Sequence, residues 1–249
     1  MRHSFVVIFL TLALFSCKDR QSIKIATSSN MQFALEDIVD EFKKEHQVEV
    51  DIIVSSSGKL TSQIEQGAPF DIFVSANMKY PLHLYEQNLT TKEPVIYAYG
   101  QLVLWTLNEV KPSMESLTNK NIEKIVIANP KTAPYGQASV EVLKKHNVFT
   151  AIEKKLIYGE SVSQCNQFIT TKSADIGFTS LSTVLAPNMK KTGHWIKIDD
   201  IDYPPIAQGV VILKKSKKQK EAQLFYNFLM SETAQNILSE HGYKTSKGS

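Results

Sequence analysis

Apolar positions along the chain alternate between two spacings from residue 23 onward. The segment 23–27 is a short apolar run that predicts a strand, whereas 31–44 repeats apolar residues every three or four positions and predicts an amphipathic helix. The same two patterns recur further along. Other strands are predicted at 48–54, 71–74, 101–106, 124–128, 155–158, 175–179 and 206–213, and other helices at 59–66, 77–87, 135–146, 162–171, 217–230 and 231–241. This alternation predicts an α/β protein with one or two mostly parallel sheets covered by helices.

The first 22 residues have a different pattern. Arg2 precedes an apolar run over 5–15 that is too short to cross a membrane as a mature helix, which predicts an export signal. The run ends in Leu-Phe-Ser-Cys at 14–17, which resembles the lipobox of bacterial lipoproteins. We therefore expect a signal peptide over 1–16, a lipidated Cys17 and a tether over 17–22; an ordinary signal peptide with a chance cysteine is the alternative. A lipidated Cys17 would leave Cys165 without a disulfide partner.

Charge and composition narrow the range of partners. The net charge of +3 comes from basic residues that are interleaved with acidic ones, which argues against the concentrated basic face of a nucleic-acid-binding protein. The only arginines are Arg2 and Arg20, so the chain from residue 23 onward has no guanidinium group. Arginine is the usual bidentate ligand of carboxylates and phosphates. An anion bound by the folded body must therefore be held by lysine, hydroxyl or backbone N–H groups.

Hydroxyl, amide and small residues fill four of the predicted strand-to-helix turns. These turns are Thr-Ser-Ser-Asn at 27–30, Ser-Ser-Ser-Gly at 55–58, Asn-Pro-Lys-Thr-Ala-Pro-Tyr-Gly at 129–136 and Gly-Glu-Ser-Val-Ser at 159–163. In α/β folds, ligands bind beyond the carboxyl ends of strands, where the next helix exposes free N–H groups. Four converging helix starts, each with roughly half a positive charge, would suit a small oxyanion with two negative charges. The simpler alternative for each turn is a helix N-cap, since Ser and Asn are favoured there for stability alone.

The segment Ser-Ser-Ser-Gly-Lys-Leu at 55–60 also raises the question of catalysis. Ser56 and Lys59 have the spacing of an acylating serine-lysine pair, but no Ser-Asp-Asn motif accompanies them. A phosphate-binding loop is excluded because no glycine precedes Gly58 at the required spacing and Leu60 replaces the required hydroxyl residue. We expect reversible binding, with a serine-lysine hydrolase as the alternative. Lys59 is expected to be a solvated helix residue, and Gly58 to let the chain approach a ligand closely.

Longer motifs carry a resemblance to a known family. From about residue 23 to residue 243, the chain resembles the molybdate-binding proteins of bacterial ABC importers. The motifs are Ser-Asn at 29–30, Ser-Ser-Ser-Gly-Lys-Leu at 55–60, Gln-Ile-Glu-Gln-Gly-Ala-Pro-Phe-Asp-Ile-Phe at 63–73 with Ser-Ala at 75–76, Ala-Pro-Tyr-Gly at 133–136 and Ala-Asp-Ile-Gly-Phe at 174–178. The resemblance implies a two-lobed α/β fold like that of periplasmic binding proteins, with the ligand in the interlobe cleft. Lobe 1 would comprise 23–98 and 207–249, and lobe 2 would comprise 99–206.

The resemblance also implies which residues bind the ligand. The first turn would donate through two residues, the second through a hydroxyl and an N–H group, and the third and fourth through backbone N–H groups. In that order the expected binding residues are Ser29, Asn30, Ser57, Tyr135 and Val162. Some relatives add a tyrosine from a fifth turn, but the stretch 178–181 has none, so no fifth turn is assigned.

The ligand implied is molybdate, with tungstate, and the alternative is another tetrahedral oxyanion such as sulfate. Neutral donors suit a fully deprotonated dianion, and the turns at 28–30 and 55–59 have no carboxylate to accept a proton from phosphate. Glu160, near the fourth turn, is the one residue that opposes this interpretation. The resemblance implies no cofactor, no metal cation and no catalytic residue.

The expected partners are those of an importer's binding protein. They are an ABC permease with its ATPase and a small oxyanion, and neither a nucleic acid nor a second copy of the chain is expected. The expected location is the periplasmic or cell-surface side of a bacterial membrane, with the lipid at Cys17 as the anchor.

Overall fold

The computed structural model describes residues 22–187, 189 and 193–245. The predicted signal peptide, Cys17 and the tether up to residue 21 lie outside the described residues. Among the described residues, no helix combines the length and the apolar character needed to cross a membrane.

Strands and helices alternate through the described chain, as the apolar pattern predicts. The strands are β1 (Ile23–Ser28), β2 (Val50–Ser55), β3 (Ile72–Val74), β4 (Val95–Gly100), β5 (Leu102–Thr106), β6 (Ile125–Ala128), β7 (Leu156–Gly159), β8 (Ile176–Ser180), β9 (His194–Lys197) and β10 (Ile206–Ile212). The helices are α1 (Gln32–His46), α2 (Ser57–Glu65), α3 (Lys79–Glu86), α4 (Pro134–Lys145), α5 (Phe149–Ile152), α6 (Val162–Thr170), α7 (Leu181–Leu185), α8 (Gln219–Leu229) and α9 (Glu232–Glu240). A 3-10 turn, Ser29–Met31, leads directly from β1 into α1.

The strands form two five-stranded sheets. The first has the order β2-β1-β3-β10-β4 and the second the order β7-β6-β8-β5-β9. In the first sheet β1 is parallel to β2 and β3, whereas β10 is antiparallel to β3 and β4. The second sheet repeats this arrangement, with β6 parallel to β7 and β8, and β5 antiparallel to β8 and β9. The predicted two-lobed α/β fold is confirmed, and each sheet is mixed, with its parallel pairings on one side.

The chain passes between the sheets at two adjacent places. Gly100 ends β4 and Leu102 begins β5 in the other sheet, and the return is made just before Ile206 at the start of β10. These two crossings lie side by side because Ile206 pairs with Gly100. The predicted lobe boundaries lie close to these crossings, 98/99 inside β4 and 206/207 after the first residue of β10, and the lobe assignment stays a prediction.

Each sheet has a hydrophobic core of its own. In the first, α1 packs its apolar face against the sheet, and the ring of Phe42 meets that of Phe225 edge to face with centroids 5.1 Å apart. Burial of such a side chain stabilises the fold by about 1.5–3 kcal/mol. In the second, the fully buried Trp105 of β5 lies in a cluster with residues of β6, α4 and α6. The helices that begin at the ends of the parallel strands are thus packed mainly on the sheet of their own lobe.

Candidate anion-binding site

Four helix starts meet at one small cavity between the sheets. Neighbouring parallel strands β1 and β2 end at the same edge of the first sheet, and β6 and β7 do so in the second. Each of these strands leads into a helix that begins at the cavity. The cavity is lined by Ser28, Ser29, Asn30, Ser56, Ser57, Ala76, Ala133, Pro134, Tyr135 and Val162. All five residues predicted from the sequence to bind the ligand are among them; that they bind it stays a prediction.

The cavity is small and uncharged. Its volume of about 10 Å³ is about the room that one water molecule needs. None of the residues that line it carries a charged side chain. The positive ends of α1 with its 3-10 turn, α2, α4 and α6 therefore dominate its electrostatics, and they favour an anion.

The serines in three of the turns differ in what they do for their helices. Ser161 is an ordinary N-cap of α6, since its Oγ accepts a hydrogen bond from the N–H of Gln164 at 3.3 Å. Ser28 and Ser56 occupy the cap positions of their helices but make no side-chain cap bond. The N-cap alternative is therefore right for Ser161 and wrong for Ser28 and Ser56.

The side-chain amide of Asn30 binds other residues of the protein and is not free to bind a ligand in the cavity. Its amide nitrogen donates to Gln208 Oε1 at 3.0 Å and to the Tyr243 hydroxyl at 3.1 Å. The backbone carbonyl oxygen of Asn30 accepts hydrogen bonds from Ser182 Oγ at 2.6 Å and from the Tyr243 hydroxyl at 2.7 Å. Because an amide has two N–H protons and both are used, only the backbone N–H of Asn30 is left for a ligand. Ser182 lies in α7, directly after the stretch 178–181 in which no fifth turn was assigned, and its hydroxyl supports the first turn through this hydrogen bond.

A group of buried tyrosines lies behind the cavity and stays neutral. Tyr97 donates to Gln208 Oε1 at 2.7 Å. The Tyr135 hydroxyl and Gln208 Nε2 both lie against Gly100, and a Cβ added at Gly100 would be 2.2 Å from the Tyr135 hydroxyl. Burial raises the pKa of Tyr97 and of Tyr135 well above the ordinary phenol value, and it raises the pKa of Tyr243 to about 12. Neutral phenols add no negative charge that would oppose an anion.

Contacts across the cleft tie the second turn to the other lobe. The N–H of Gly58 donates to the carbonyl of Thr132 at 2.9 Å, and the Tyr80 hydroxyl donates to the carbonyl of Lys131 at 3.2 Å. A Cβ at position 58 would lie 3.0 Å from the Cα and carbonyl oxygen of Thr132. The close approach that Gly58 allows is therefore to the facing lobe, which corrects the expectation of approach to a ligand.

Lys59 and Glu160 form an ion pair across the same cleft. Lys59 Nζ contacts Glu160 Oε2, and the side chains are 43% and 65% exposed. Lys59 is a solvent-accessible residue of α2, as expected, and the cleft also brings it into contact with Glu160, 101 positions away, which the sequence did not predict. The pair also neutralises Glu160, the one residue that opposed an anion at this site.

The arrangement does not support the hydrolase alternative. The buried Ser56 Oγ has no hydrogen-bond partner, and the ammonium group of Lys59 contacts Glu160 instead, so the two do not form a nucleophile-base pair. A Lys-Thr-Gly triplet of the kind found in serine-lysine enzymes does occur at 191–193. Its Gly193 lies against the backbone of Thr106 near β9, not among the residues that line the cavity. Within the described residues, no group of three His, Cys, Asp or Glu side chains is placed to hold a metal ion.

Comparisons with known proteins agree with the geometry. The family described as bacterial extracellular solute-binding protein matches residues 23–244. The molybdate-binding protein ModA of Azotobacter vinelandii is 34% identical over 245 residues, which cover 96% of each protein. The putative ABC transporter substrate-binding lipoprotein YvgL of Bacillus subtilis is 27% identical over 256 residues, with 97% of this chain and 98% of that protein covered. The solved structure of the Azotobacter vinelandii periplasmic molybdate-binding protein matches with a TM-score of 0.83 and 30% identity, over 89% of this chain and 98% of that one.

Proposed function

We propose that this chain, which belongs to the bacterial extracellular solute-binding protein family, captures molybdate and delivers it to an ABC importer. The observation that carries the proposal is the uncharged cavity enclosed by four helix starts. Its polarity and the four helix starts suit a small oxyanion, and relatives that match over nearly the full chain are molybdate-binding proteins. The function is reversible capture and release, without a chemical step.

The proposed ligand contacts follow from which donors remain free. Ser29 and Ser57 would donate through their hydroxyls, and Asn30, Tyr135 and Val162 through backbone N–H groups. The first N–H groups of a helix have no partner within it, so these donors are available without rearrangement. Fixed N–H donors also favour an anion that carries no proton of its own, because a protonated anion needs an acceptor. Molybdate meets that condition near neutral pH, whereas phosphate does not.

A panel of titrations tests this function. The chain from residue 22 onward is titrated with molybdate, tungstate, sulfate and phosphate in a calorimeter, and melting temperatures are recorded with each anion. We expect molybdate and tungstate to bind, sulfate to bind more weakly, and phosphate to be weakest. Sulfate binding that equals or exceeds molybdate binding would reject the assignment of molybdate and leave a general oxyanion site.

The cross-cleft ion pair gives a prediction about closure. Lys59→Ala is expected to weaken molybdate binding about twofold to fivefold, because an exposed pair contributes less than about 1 kcal/mol and its loss leaves Glu160 unneutralised near the anion. The measurement is molybdate affinity at low and high salt, and the effect should shrink at high salt.

Two variants control for this effect. Lys131→Ala removes an exposed lysine from the facing rim of the same cleft and is expected to change affinity less. Exchange of the two charges, Lys59→Glu with Glu160→Lys, should return affinity close to that of the parent. A charge-exchanged protein as weak as Lys59→Ala would show that the ion pair is not the cause.

The proposal extends to location and assembly. We propose that tungstate is bound in the same way as molybdate, that the protein acts as a monomer, and that a lipid on Cys17 holds it at the membrane near its permease and ATPase. The similarity to a substrate-binding lipoprotein supports the anchor. Mass spectrometry of the protein expressed from its full chain tests it: diacylglycerol on an N-terminal Cys17 is expected, and Cys17→Ala should release the protein from the membrane fraction.

A further inference from the structure

Ser28 lines the cavity next to Ser57, and the two hydroxyls are hydrogen-bonded. Their oxygens are 2.5 Å apart, and both side chains are buried. The N–H of Ala76 is shared between them, at 2.8 Å from Ser28 Oγ and 3.1 Å from Ser57 Oγ. Ser28 therefore contacts the principal hydroxyl donor of the proposed site.

A count of protons and lone pairs limits how these hydroxyls are oriented. Each hydroxyl has one proton to donate and two lone pairs that accept. The proton of Ser28 has two acceptors within reach, the carbonyl of Val74 at 3.4 Å and Ser57 Oγ at 2.5 Å. The Ser28–Ser57 distance is the same whichever hydroxyl donates. If Ser57 donated, however, the only acceptor left for the Ser28 proton among the described residues would be the carbonyl of Val74, at a distance that is long for an O–H···O bond, so donation from Ser28 to Ser57 is favoured.

We propose that Ser28 is a positioning residue that directs the hydroxyl proton of Ser57 into the cavity. When Ser28 donates to Ser57, Ser57 Oγ accepts hydrogen bonds from the Ser28 hydroxyl and from the N–H of Ala76. The proton of the Ser57 hydroxyl then points into the cavity. Ser57 is then a donor with no lone pair to offer. The inference rests on the proposed function and deepens it, because it names a residue that sets selectivity at that site.

This orientation discriminates between protonated and deprotonated anions. A molybdate oxygen accepts the Ser57 proton, whereas the hydroxyl of hydrogen phosphate needs an acceptor and finds none on Ser57. In Ser28→Ala one lone pair of Ser57 becomes free, and the Ser57 hydroxyl can rotate to accept a proton. The variant should therefore bind molybdate more weakly and discriminate less against phosphate.

A double-mutant cycle tests the proposal. Parent, Ser28→Ala, Ser57→Ala and the double variant are titrated with molybdate and with phosphate. Ser28→Ala is expected to weaken molybdate binding about fivefold to twentyfold, by analogy with the loss of part of a hydrogen bond to a charged group. In the Ser57→Ala background the same change should alter affinity less than about twofold, because the hydroxyl that Ser28 orients is gone.

Several outcomes would overturn it. Equal losses from Ser28→Ala in both backgrounds would mean that Ser28 acts independently of Ser57, on the fold or directly on the anion, and parent-like affinity would mean that it does not act at all. An unchanged ratio of molybdate to phosphate affinity would reject the selectivity role. If the parent binds sulfate and not molybdate, the proposed function fails, and the cycle run with sulfate still decides whether Ser28 acts through Ser57.

Two further variants separate orientation from stability. Ser28→Cys keeps nearly the same size with a weaker donor, so an affinity between those of the parent and Ser28→Ala is expected. Thr106→Val removes another buried hydroxyl, which donates to the carbonyl of Asp175 at 2.5 Å. Thr106 is not among the residues that line the cavity. It should lower the melting temperature without changing molybdate affinity. Weakened binding by Thr106→Val would assign the Ser28 effect to stability.

Discussion

Val162→Pro is expected to weaken molybdate binding about 10- to 100-fold while the fold remains intact. The substitution deletes one backbone N–H, and a hydrogen bond to a charged group contributes about 1.5–3 kcal/mol. Val162 is the first residue of α6, where proline is well tolerated because that N–H has no partner within the helix. The preceding Ser161 is extended, with φ −152° and ψ 169°, as a residue before proline must be. Calorimetric titration and the far-UV circular dichroism spectrum are the measurements.

Val162→Ala is the matched control for this prediction. It also removes the branched side chain but keeps the N–H group, so affinity should stay within about threefold of the parent. The N–H of Ser163, the next residue, donates to Ser29 Oγ across the cleft at 3.4 Å, and neither substitution removes that N–H. Equal affinities for the proline and alanine variants would remove Val162 from the site.

The sequence was enough to predict which residues line the cavity, because much of the signal is local. In each of the four units, the predicted strand, the turn and the predicted helix lie within 17–23 consecutive residues, and the carboxyl ends of neighbouring parallel strands share an edge. That rule places the two turns of each sheet together, and the resemblance, through its interlobe cleft, implies that the two pairs face each other. The resemblance then selects Ser29, Asn30, Ser57, Tyr135 and Val162 within them, and all five line the cavity.

Contacts between distant segments could not be predicted in this way. The sharing of the Ala76 N–H by two serines depends on how β3 lies beside β1, and the Lys59 pair depends on how the lobes face each other. The side-chain contacts of Asn30 reach Gln208 and Tyr243, which are 178 and 213 residues away. Such pairings follow from tertiary packing and leave no periodic signal.

Some strands and helices also escaped prediction, for local reasons. β9 is a short edge strand with mostly exposed residues, so it lacks an apolar run. β4 is separated from β5 by the single residue Gln101, and the strand predicted there began only at residue 101. α7 has only five residues, fewer than the two turns that an apolar repeat needs to be seen.

Gly136→Ala is expected to lower the free energy of unfolding by about 3 kcal/mol or more and to weaken molybdate binding together with it. A Cβ at Gly136 would lie 1.9 Å from the carbonyl oxygen of Ala128 and 2.6 Å from its carbonyl carbon, at the end of β6. The obstacle is backbone, which has no rotamer to change, so the start of α4 must move away from the sheet. That movement displaces the N–H of Tyr135, the residue before it. Urea unfolding gives the stability, and titration of the folded variant gives the affinity.

The sign of this effect separates packing from helix propensity. Alanine is a better helix former than glycine by about 1 kcal/mol, so without the clash Gly136→Ala would stabilise α4. Gln137→Ala, at the next and exposed position of the same turn, is the matched control and should change stability by less than about 0.5 kcal/mol. If Gly136→Ala is as stable as the parent, α4 does not need this close approach to β6. If it is destabilised but binds molybdate as tightly as the parent, the position of the Tyr135 N–H does not matter to the anion, and the third helix start must be removed from the proposed site.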